Sequence, residues 1–335
     1  MKFALNRLDM VTPMRFAASA SRAESLGWDM GLIPVNPLKA PDPYVLLAMA
    51  SQVTTTIQLG TLLDNPVIRH PSVLAGSIAT VEQLAPGRTL LGLGSGDTAV
   101  RFNGLAPARL KQMQETTIHV KKLLAGERIE VGALRPAGLA HSAPVPVWIA
   151  AQGPKTLHMA GKYADGVFIR VGTHPDNIQL AWRHVCEGAE QAGRDIAEIS
   201  LALIFHTAYS ENEQTARSMA RAIAAGYYEY SPALFENLNH RWNGPDVHEL
   251  RKQAMPDFHH HRDPVHAGEV VNFLSDRIAD DFALHGNWQQ IGDQLQSILD
   301  LDLPVSVVLP HPILDPTETI DYLESCALNL VRRFK

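Results

Sequence analysis

Short apolar segments alternate with longer amphipathic segments along most of the chain. Short runs rich in Val, Ile and Leu that end at turn residues predict buried strands. Apolar residues spaced three and four positions apart predict helices that pack one face on a core. Strands are predicted at Phe3–Leu5, Met30–Val35, Ile57–Leu63, Thr89–Leu93, Val145–Ala150, Gly166–Val171, Ile199–His206 and Val305–Leu309.

A predicted helix follows each of these strands. The helices are predicted at Met14–Gly27, Tyr44–Gln52, Val73–Leu84, Leu110–Leu124, Lys155–Tyr163, Asn177–Ala192, Glu211–Ala225 and Glu318–Arg332. Short strands that are apolar on both faces and connected by helices form parallel sheets. Eight such units are what a (β/α)8 TIM barrel requires, so the pattern predicts one α/β barrel domain over residues 1–335.

Two segments interrupt the alternation. Arg128–Ser142 contains Gly and Pro without a clear period, which predicts a hairpin-like insertion. Residues 227–299 hold further helical patterns at Pro264–Ile278 and Trp288–Asp300, which predict a helical insertion between strands seven and eight. Insertions at the carboxyl ends of barrel strands build lids and substrate walls, so we expect residues 227–299 to cover that mouth.

Composition excludes several classes of protein. The chain has 335 residues, 46% hydrophobic residues and a net charge of -6, without blocks of like charge, so nucleic acid and anionic membranes are not expected partners. No apolar stretch reaches the roughly 18 residues that span a bilayer, and the charged N-terminus does not fit a signal peptide. Cys186 and Cys326 lack metal or disulfide spacing, which indicates reduced thiols and a cytoplasmic location.

The most distinctive short motif is LLGLGSGDT, Leu90–Thr98. The Rossmann fingerprint needs a different glycine spacing and an early βαβ unit, and the Walker A motif needs Gly-Lys-Ser/Thr, so neither fits. Two interpretations stay open. The glycines, among them Gly96, let the backbone approach a flat ligand while Asp97 accepts a hydrogen bond, or the segment is a tight turn with a capping Asp97 and no ligand.

Several longer phrases carry a family resemblance. LGTLLDNPVIRHPSVLA (Leu59–Ala75), PGRTLLGLGSGD (Pro86–Asp97) and VPVWIAAQGPKTLHMAGKYADGVFI (Val145–Ile169) resemble the bacterial luciferase-like monooxygenase family. NPLKAPDPYVLLAMAS (Asn36–Ser51) fits the same branch, which contains methylenetetrahydromethanopterin reductase and related flavin- or deazaflavin-dependent oxidoreductases. The resemblance covers about residues 1–225 in order and implies a TIM barrel that binds FMN or coenzyme F420 at its carboxyl-end mouth.

The resemblance also implies cofactor-binding positions. The ring would lie at the end of strand three, over a non-prolyl cis peptide at Leu62-Leu63, with Asp64 and Asn65 beside it. A helix starts directly after strand five, and helix N-termini favour anions, so a phosphate would bind there. Lys155 also fits a solvated lysine at a helix start. The implied cofactor-binding residues are Leu62, Leu63, Asp64, Asn65, Gly96, Asp97, Gln152, Gly153, Pro154, Lys155, Gly172 and Thr173.

Catalytic residues are less defined. Luciferases of this family have a histidine after strand two, whereas this chain has Pro34-Val35-Asn36-Pro37, where Asn36 offers hydrogen bonds but no acid or base. His206 and His311 lie near the ends of strands seven and eight, and a neutral imidazole there would serve as a general acid or base near pH 7. Residues 259–261 are three consecutive histidines that would diverge on a helix, so no metal is predicted there.

Three functions follow from the resemblance. The main prediction is a two-component monooxygenase that uses oxygen and reduced FMN, supplied by a separate NAD(P)H:flavin reductase, on a small organic substrate. The alternative is a hydride-transferring oxidoreductase that uses coenzyme F420, which barely reacts with oxygen. The third is a non-catalytic flavin-binding barrel. A homodimer or homotetramer is expected in each case.

Overall fold

Nine strands form one sheet in the computed structural model, which describes residues 1–132, 135–315, 317 and 319–335. The strands are β1 (Lys2–Leu5), β2 (Met30–Ile33), β3 (Gln58–Thr61), β4 (Thr89–Leu93), β5 (Val147–Ala151), β6 (Gly166–Ile169), β7 (Ser200–Tyr209), β8 (Leu284–Gly286) and β9 (Val305–Leu314). Most of their residues are buried, as expected for strands covered on both faces.

The sheet closes on itself. Its order is β6-β5-β4-β3-β2-β1-β9-β7-β8, and an additional pairing of β6 with β7 completes a ring of eight strands. The short β8 lies outside this ring and pairs in parallel with the end of β7, with Thr207 opposite Leu284. The chain is therefore an α/β protein with a (β/α)8 TIM barrel, and the predicted fold class is confirmed.

Helices follow the strands of the ring and cluster before β9. Their bounds are α1 (Pro13–Ser25), α2 (Pro43–Ser51), α3 (Pro71–Leu84), α4 (Thr98–Arg101), α5 (Leu110–Leu124), α6 (Pro154–Tyr163), α7 (Pro175–Gln191), α8 (Glu213–Tyr230), α9 (Ala233–Glu236), α10 (Val247–Arg251), α11 (Pro264–Val270), α12 (Asp276–Phe282), α13 (Trp288–Leu299) and α14 (Tyr322–Cys326). A π-helical segment, Ala327–Val331, follows α14, and 3-10 turns lie at Ile196–Glu198 and Arg332–Phe334.

Local sequence signals explain where helices begin and end. Proline stands in the first turn of α1, α2, α3 and α6, where its missing N–H costs no hydrogen bond. The carboxylate of Asp42 accepts hydrogen bonds from two backbone N–H groups at the start of α2. Gly27 follows α1 with a φ of 95°, a left-handed conformation that glycine adopts without a steric penalty.

The chain divides into two compact units. One comprises Lys2–Phe168 and His184–Ala202, and the other comprises Met1, Ile169–Arg183 and Leu203–Lys335. The first unit holds β1–β5 and α1–α6, with a core that includes Phe3, Phe16 and Phe168. The second holds β8, β9 and α8–α14, with a core that includes Phe205, Tyr227 and Phe282. That residues 1–335 behave as one domain stays a prediction.

Several predicted boundaries were wrong. Pro264–Ile278 is not one helix, because the Ser275 side chain caps a new helix, α12, after α11 ends at Val270. The short β8 was missed, and β7 and β9 both extend beyond their predicted ends. In the region predicted as a hairpin-like insertion, Ile129 and Ala137 form an antiparallel bridge. Residues 133–134 of that insertion and the predicted helix start at 318 lie outside the described residues.

Candidate functional site

The chain turns sharply at the end of β3. The Leu62-Leu63 peptide bond is cis, at the position that the family resemblance implied. The N–H of Leu62 donates to the carbonyl of Ile33 at 2.7 Å, which holds the turn to the end of β2. The Leu63 side chain lies against Gly94, where a Cβ atom would approach Leu63 Cδ1 to 2.6 Å. The two leucines therefore form an apolar surface between the ends of β2 and β4.

Asp64 anchors this turn from inside the protein. Its side chain is fully buried; Oδ2 accepts a hydrogen bond from the Tyr44 hydroxyl at 2.9 Å, and Oδ1 accepts one from the Asn65 N–H at 2.8 Å. Arg69 Nε lies 3.3 Å from Oδ2. Burial raises the pKa of Asp64, although these hydrogen bonds and the Arg69 charge act in the opposite direction. Both carboxylate oxygens have protein partners, so Asp64 positions the turn and offers no unpartnered oxygen to a ligand.

Two buried amide groups near strand ends have an unused donor. Asn65 is 1% exposed, and its Oδ1 accepts from the N–H groups of Val67 and Ile68, whereas its Nδ2 has no hydrogen-bond partner in the part of the chain that the structure describes. Gln152 follows β5, and its Nε2 is likewise buried without a partner. A buried donor left without a partner costs about 1–3 kcal/mol. These donors are therefore the best candidates of the first unit for contacts with a bound molecule.

The glycines after β4 accommodate protein neighbours. A Cβ atom on Gly92 would overlap the carbonyl oxygen of Thr61, and one on Gly96, whose φ is 80°, would overlap the Val100 side chain. Asp97 precedes α4 and pairs with Arg101 Nε at 2.7 Å, without a side-chain capping hydrogen bond. Close packing and turn geometry therefore explain these glycines, and a ligand contact at Gly96 or Asp97 stays a prediction.

Helix α6 begins with an open N-terminus. Gly153 is its N-cap residue, has no side chain to cap the first turn, and has no atom within 4 Å of the position a Cβ would take. Pro154 occupies the first turn. Lys155 is exposed and lines a surface groove of about 350 Å³ together with His158 and Tyr163. The open helix start fits the predicted anion site, and the Lys155 side chain fits a solvated lysine.

Thr173 uses both of its hydrogen-bond donors within the second unit. The N–H of Thr173 donates to the carbonyl of Asp281 at 2.9 Å, and its hydroxyl donates to the carbonyl of Asp280 at 2.7 Å. Gly172, with a φ of 87°, leaves space for the same Asp281 carbonyl. Thr173 therefore fastens the chain after β6 to the end of α12, and a phosphate contact at Gly172 or Thr173 stays a prediction.

Asn36 is also engaged locally. Its Oδ1 accepts from the N–H of Leu38 at 3.3 Å, and its carbonyl accepts from the N–H groups of Lys39 and Ala40. The amide thus organises the turn after β2. A contact between Asn36 and a substrate stays a prediction.

The second unit contains a packed group of three polar rings, which we call the His–Tyr cluster: His206, Tyr227 and His259. The His206 and His259 rings stack with centroids 4.7 Å apart, and the Tyr227 ring meets them edge-on at 5.5 and 5.3 Å. Each ring carries one buried polar atom without a partner among the described residues: Nδ1 of His206, the hydroxyl of Tyr227 and Nδ1 of His259. His311 packs edge-on against His206 at 5.3 Å.

Burial and nearby charge keep the cluster neutral. Desolvation, followed by the His259 and Arg170 charges, lowers the pKa of His206 well below its usual range. Desolvation and the Arg170 charge lower the pKa of His259 to about 3, and burial raises the pKa of Tyr227 to about 12. Near pH 7 His259 and Tyr227 therefore offer hydrogen bonds but no charge, and a role of His206 as an acid or base stays a prediction.

The consecutive histidines at 259–261 have three separate partners. His259 contacts the Ile223 carbonyl, His260 pairs with Asp257 at 2.8 Å, and His261 contacts the Asp263 carbonyl at 2.7 Å. They lie in a turn before α11, not on a helix. Among the described residues, no three His, Cys, Asp or Glu side chains converge as metal ligands.

Sequence reasoning missed the roles of Tyr44, Arg170 and Tyr227. Tyr44 reaches Asp64 across 20 positions of sequence, and Tyr227 reaches His259 across a turn-rich segment. Of these three residues, only Arg170 could have been suspected from the sequence. It is a charged residue directly after strand β6, and barrel enzymes place their active sites at this end of the strands.

Comparison with known proteins identifies the family. The family model of luciferase-like monooxygenases matches residues 3–301, which includes the insertion that the sequence resemblance had left out. The chain belongs to the luciferase-like monooxygenase family. Members of this family are oxidoreductases, and the predicted family is confirmed. Among the described residues, no helix is both long and apolar enough to cross a membrane.

Curated relatives in this family include two kinds of enzyme. The chain is 30% identical over 242 residues to a 5,10-methylenetetrahydromethanopterin reductase of Methanolobus tindarius, covering 70% of this chain and 73% of that protein. It is 30% identical over 241 residues to an F420-dependent glucose-6-phosphate dehydrogenase of Nakamurella multipartita, covering 64% and 69% of the two chains.

Solved structures confirm the fold of this luciferase-like family member. The coenzyme F420-dependent tetrahydromethanopterin reductase of Methanopyrus kandleri matches with a TM-score of 0.77 at 22% identity, over 100% of this chain and 99% of that one. Monooxygenase RslO1 of Streptomyces bottropensis matches with a TM-score of 0.66 at 17% identity, over 100% of both chains. At these identities the likeness concerns the fold alone.

Proposed function

We propose that this protein is a coenzyme F420-dependent oxidoreductase that transfers a hydride between the deazaflavin and a small organic substrate. The observation that carries the proposal is the 30% identity with an enzyme whose name states F420 dependence, over 64% of this chain. The reductase of Methanolobus tindarius, at 30% identity over 70% of the chain, also fits hydride transfer. The monooxygenase match rests on 17% identity in a shared fold, so the predicted FMN-dependent monooxygenase with its separate flavin reductase is less well supported.

The residues of the first unit fit a flat, acceptor-rich cofactor. Leu62 and Leu63 supply an apolar surface, and the unpartnered donors Asn65 Nδ2 and Gln152 Nε2 match carbonyl acceptors on a deazaflavin ring. The open N-terminus of α6 at Gly153 matches a phosphate. When bound, the coenzyme would supply hydride chemistry without the ready oxygen reactivity of a reduced flavin.

The protein's own task is to bind, orient and exclude water. Asp64 and Tyr44 fix the turn that presents Asn65, so the amide donor stays in one orientation. No acid or base follows β2, where Asn36 stands, so any proton transfer must use another group or solvent.

Cofactor titration tests this function. We expect the fluorescence of coenzyme F420 to be quenched or shifted when the protein binds it. The Kd for coenzyme F420 should be at least tenfold below the Kd for FMN or reduced FMN. Tighter binding of reduced FMN, together with oxygen consumption, would instead support the monooxygenase. Binding of none of the three would contradict both enzyme functions, and binding without turnover of any substrate would favour a non-catalytic barrel.

A further inference from the structure

The His–Tyr cluster lacks hydrogen-bond partners at its centre. His206, Tyr227 and His259 are 3%, 0% and 8% exposed, and each has one buried polar atom without a partner among the described residues. Buried polar groups in folded proteins are nearly always paired with protein, water or ligand. Three such atoms in one set of touching rings therefore indicate that another molecule completes the cluster.

The hydrogen bond of His259 fixes the chemistry of the missing partner. His259 Nε2 lies 3.0 Å from the carbonyl oxygen of Ile223. A carbonyl oxygen only accepts hydrogen bonds, so Nε2 carries the proton. In the neutral ring Nδ1 then has no proton and accepts a hydrogen bond through its lone pair. The pKa of about 3 keeps the ring neutral near pH 7. The partner of Nδ1 must consequently be a hydrogen-bond donor.

A nearby positive charge narrows the choice of donor. The Arg170 guanidinium lies 6.0 Å from the centre of the Tyr227 ring, and its charge acts on His206 and on His259 as well. An ammonium donor would be repelled there. A neutral hydroxyl remains suitable, because it donates through its hydrogen and accepts through its oxygen. The Tyr227 hydroxyl is in turn able to donate to that oxygen.

The cluster lies where a barrel enzyme binds its substrate. Arg170 directly follows β6, His206 is in the carboxyl half of β7, and His311 is in the carboxyl half of β9. Barrel enzymes carry their reactive groups at these strand ends. Arg170 and His311 are only partly buried, so solvent reaches the edge of the group.

We propose that the His–Tyr cluster is a substrate-binding site that recognises a neutral hydroxyl group, which donates to His259 Nδ1 and accepts from the Tyr227 hydroxyl. The ligand class is thus an alcohol or polyol. The inference deepens the proposed function and rests on it only for the identity of the ligand as the substrate. The stacked His206 ring covers one face of the His259 ring.

Imidazole nitrogen NMR tests the site in the wild-type protein. In protein labelled with ¹⁵N in its histidine rings, glycerol and 2-propanol are titrated, with inorganic phosphate and methylammonium as comparison probes. We expect the His259 Nδ1 resonance to shift saturably with the alcohols and not with the other two. The His184 ring, which pairs with Glu187 at the surface, provides an internal control that should not shift.

Tyr227→Phe supplies the matched variant. It removes the hydroxyl and keeps the ring, and we expect alcohol affinity to fall about three- to tenfold, as for the loss of one hydrogen bond. Tyr163→Phe is the control, because its hydroxyl contacts Gln114 in the other unit and its loss should leave alcohol affinity unchanged. The wild-type titration needs no variant, so it decides the question even if Tyr227→Phe does not fold.

Two results would overturn the site. A His259 Nδ1 that is already hydrogen-bonded and does not respond to any probe would show that resident water completes the cluster. Tighter binding of phosphate than of alcohols would show an anion site around Arg170. Coenzyme F420 is titrated separately by fluorescence, so loss of the proposed function and loss of this site are distinguished: each binding event is measured without the other.

Discussion

Substitution of Gly153 by Asp should separate cofactor binding from folding. Gly153 is exposed, has ordinary backbone angles of φ -81° and ψ 150°, and has no atom within 4 Å of the place where a Cβ would stand. A side chain therefore fits without strain. Asp and Asn are also favoured at helix N-caps, and replacing a glycine restricts the unfolded chain. We expect Gly153→Asp and Gly153→Asn to be as stable as the wild type or more stable, by up to about 1 kcal/mol.

The difference in cofactor binding between Gly153→Asp and Gly153→Asn comes from charge. A carboxylate about 5 Å from a phosphate raises its free energy by about 0.8 kcal/mol in water and by about 3 kcal/mol at an effective dielectric constant of 20. These energies correspond to roughly fourfold and more than a hundredfold in Kd. Because Gly153 is exposed at a helix start, an intermediate loss of about tenfold or more is expected for Gly153→Asp. Gly153→Asn has the same shape without the charge; its amide oxygen competes with the phosphate only for the N–H groups that it caps, so it should lose less affinity than Gly153→Asp.

Fluorescence titration with coenzyme F420 at low and high salt provides the assay, with urea unfolding to measure stability. Screening shortens the range of the repulsion to about 3 Å at 1 M salt, so the difference between the Asp and Asn variants should shrink there. Equal affinities for the wild type and both variants at low salt would refute the phosphate site at α6. Equal losses for Asp and Asn would show that shape, and not charge, matters at this position.

Three further predictions concern the first unit. Tyr44→Phe removes a buried hydrogen bond to Asp64 and should lower the free energy of unfolding by about 1.5–3 kcal/mol at pH 7. Because the hydroxyl stabilises the carboxylate, its loss raises the pKa of Asp64 further, and the destabilisation should shrink in acid, where Asp64 is protonated. A loss of stability that does not change with pH in urea unfolding would contradict this reasoning. Gly161→Ala places a Cβ against the Val185 carbonyl and should lower the free energy of unfolding by about 1–3 kcal/mol. Gly76→Ala is the control: the nearest neighbour of its Cβ would be 3.7 Å away, so it should be neutral or stabilising by up to about 1 kcal/mol. Similar melting temperatures of the two variants in thermal unfolding would refute the packing argument. Asn65→Asp replaces the unpartnered donor by an acceptor and should weaken F420 binding at least tenfold; unchanged affinity would remove Asn65 from the site.

Local patterns predicted the barrel because each βα unit carries its own signals. Val, Ile and Leu runs placed β1–β6, and helices such as α5 were predicted at their observed bounds. The errors have local causes as well. Pro310 and Pro312 suggested that β9 stops at Leu309, but the strand continues to Leu314. Strand β8 has only three residues, Leu284-His285-Gly286, and one of them is polar, so the segment shows no hydrophobic pattern that would predict a strand.

Prediction of the candidate site also depends on whether a residue's surroundings are local in sequence or distant. Residues in continuous motifs, such as Asn65 after β3 and Gly153 at the start of α6, could be predicted as site residues because their positions depend on a strand end or a helix start a few residues away. Their contacts with a cofactor stay a prediction. Gly172 and Thr173 looked equally suitable. The two donors of Thr173 nevertheless bind the Asp280 and Asp281 carbonyls, more than 100 residues later, and no local pattern contains that information.

The substrate side of the protein depends on long-range packing throughout. His259 joins Tyr227 and His206 only because a turn before α11 places its ring against Gly226 of α8, where any side chain would overlap it. The three histidines at 259–261 have separate partners, two carbonyls and Asp257, and for His259 the carbonyl partner decides which nitrogen carries the proton. The hydrogen-bonding groups that we propose for substrate recognition therefore depend on contacts across the insertion, and no local pattern of the sequence contains those contacts.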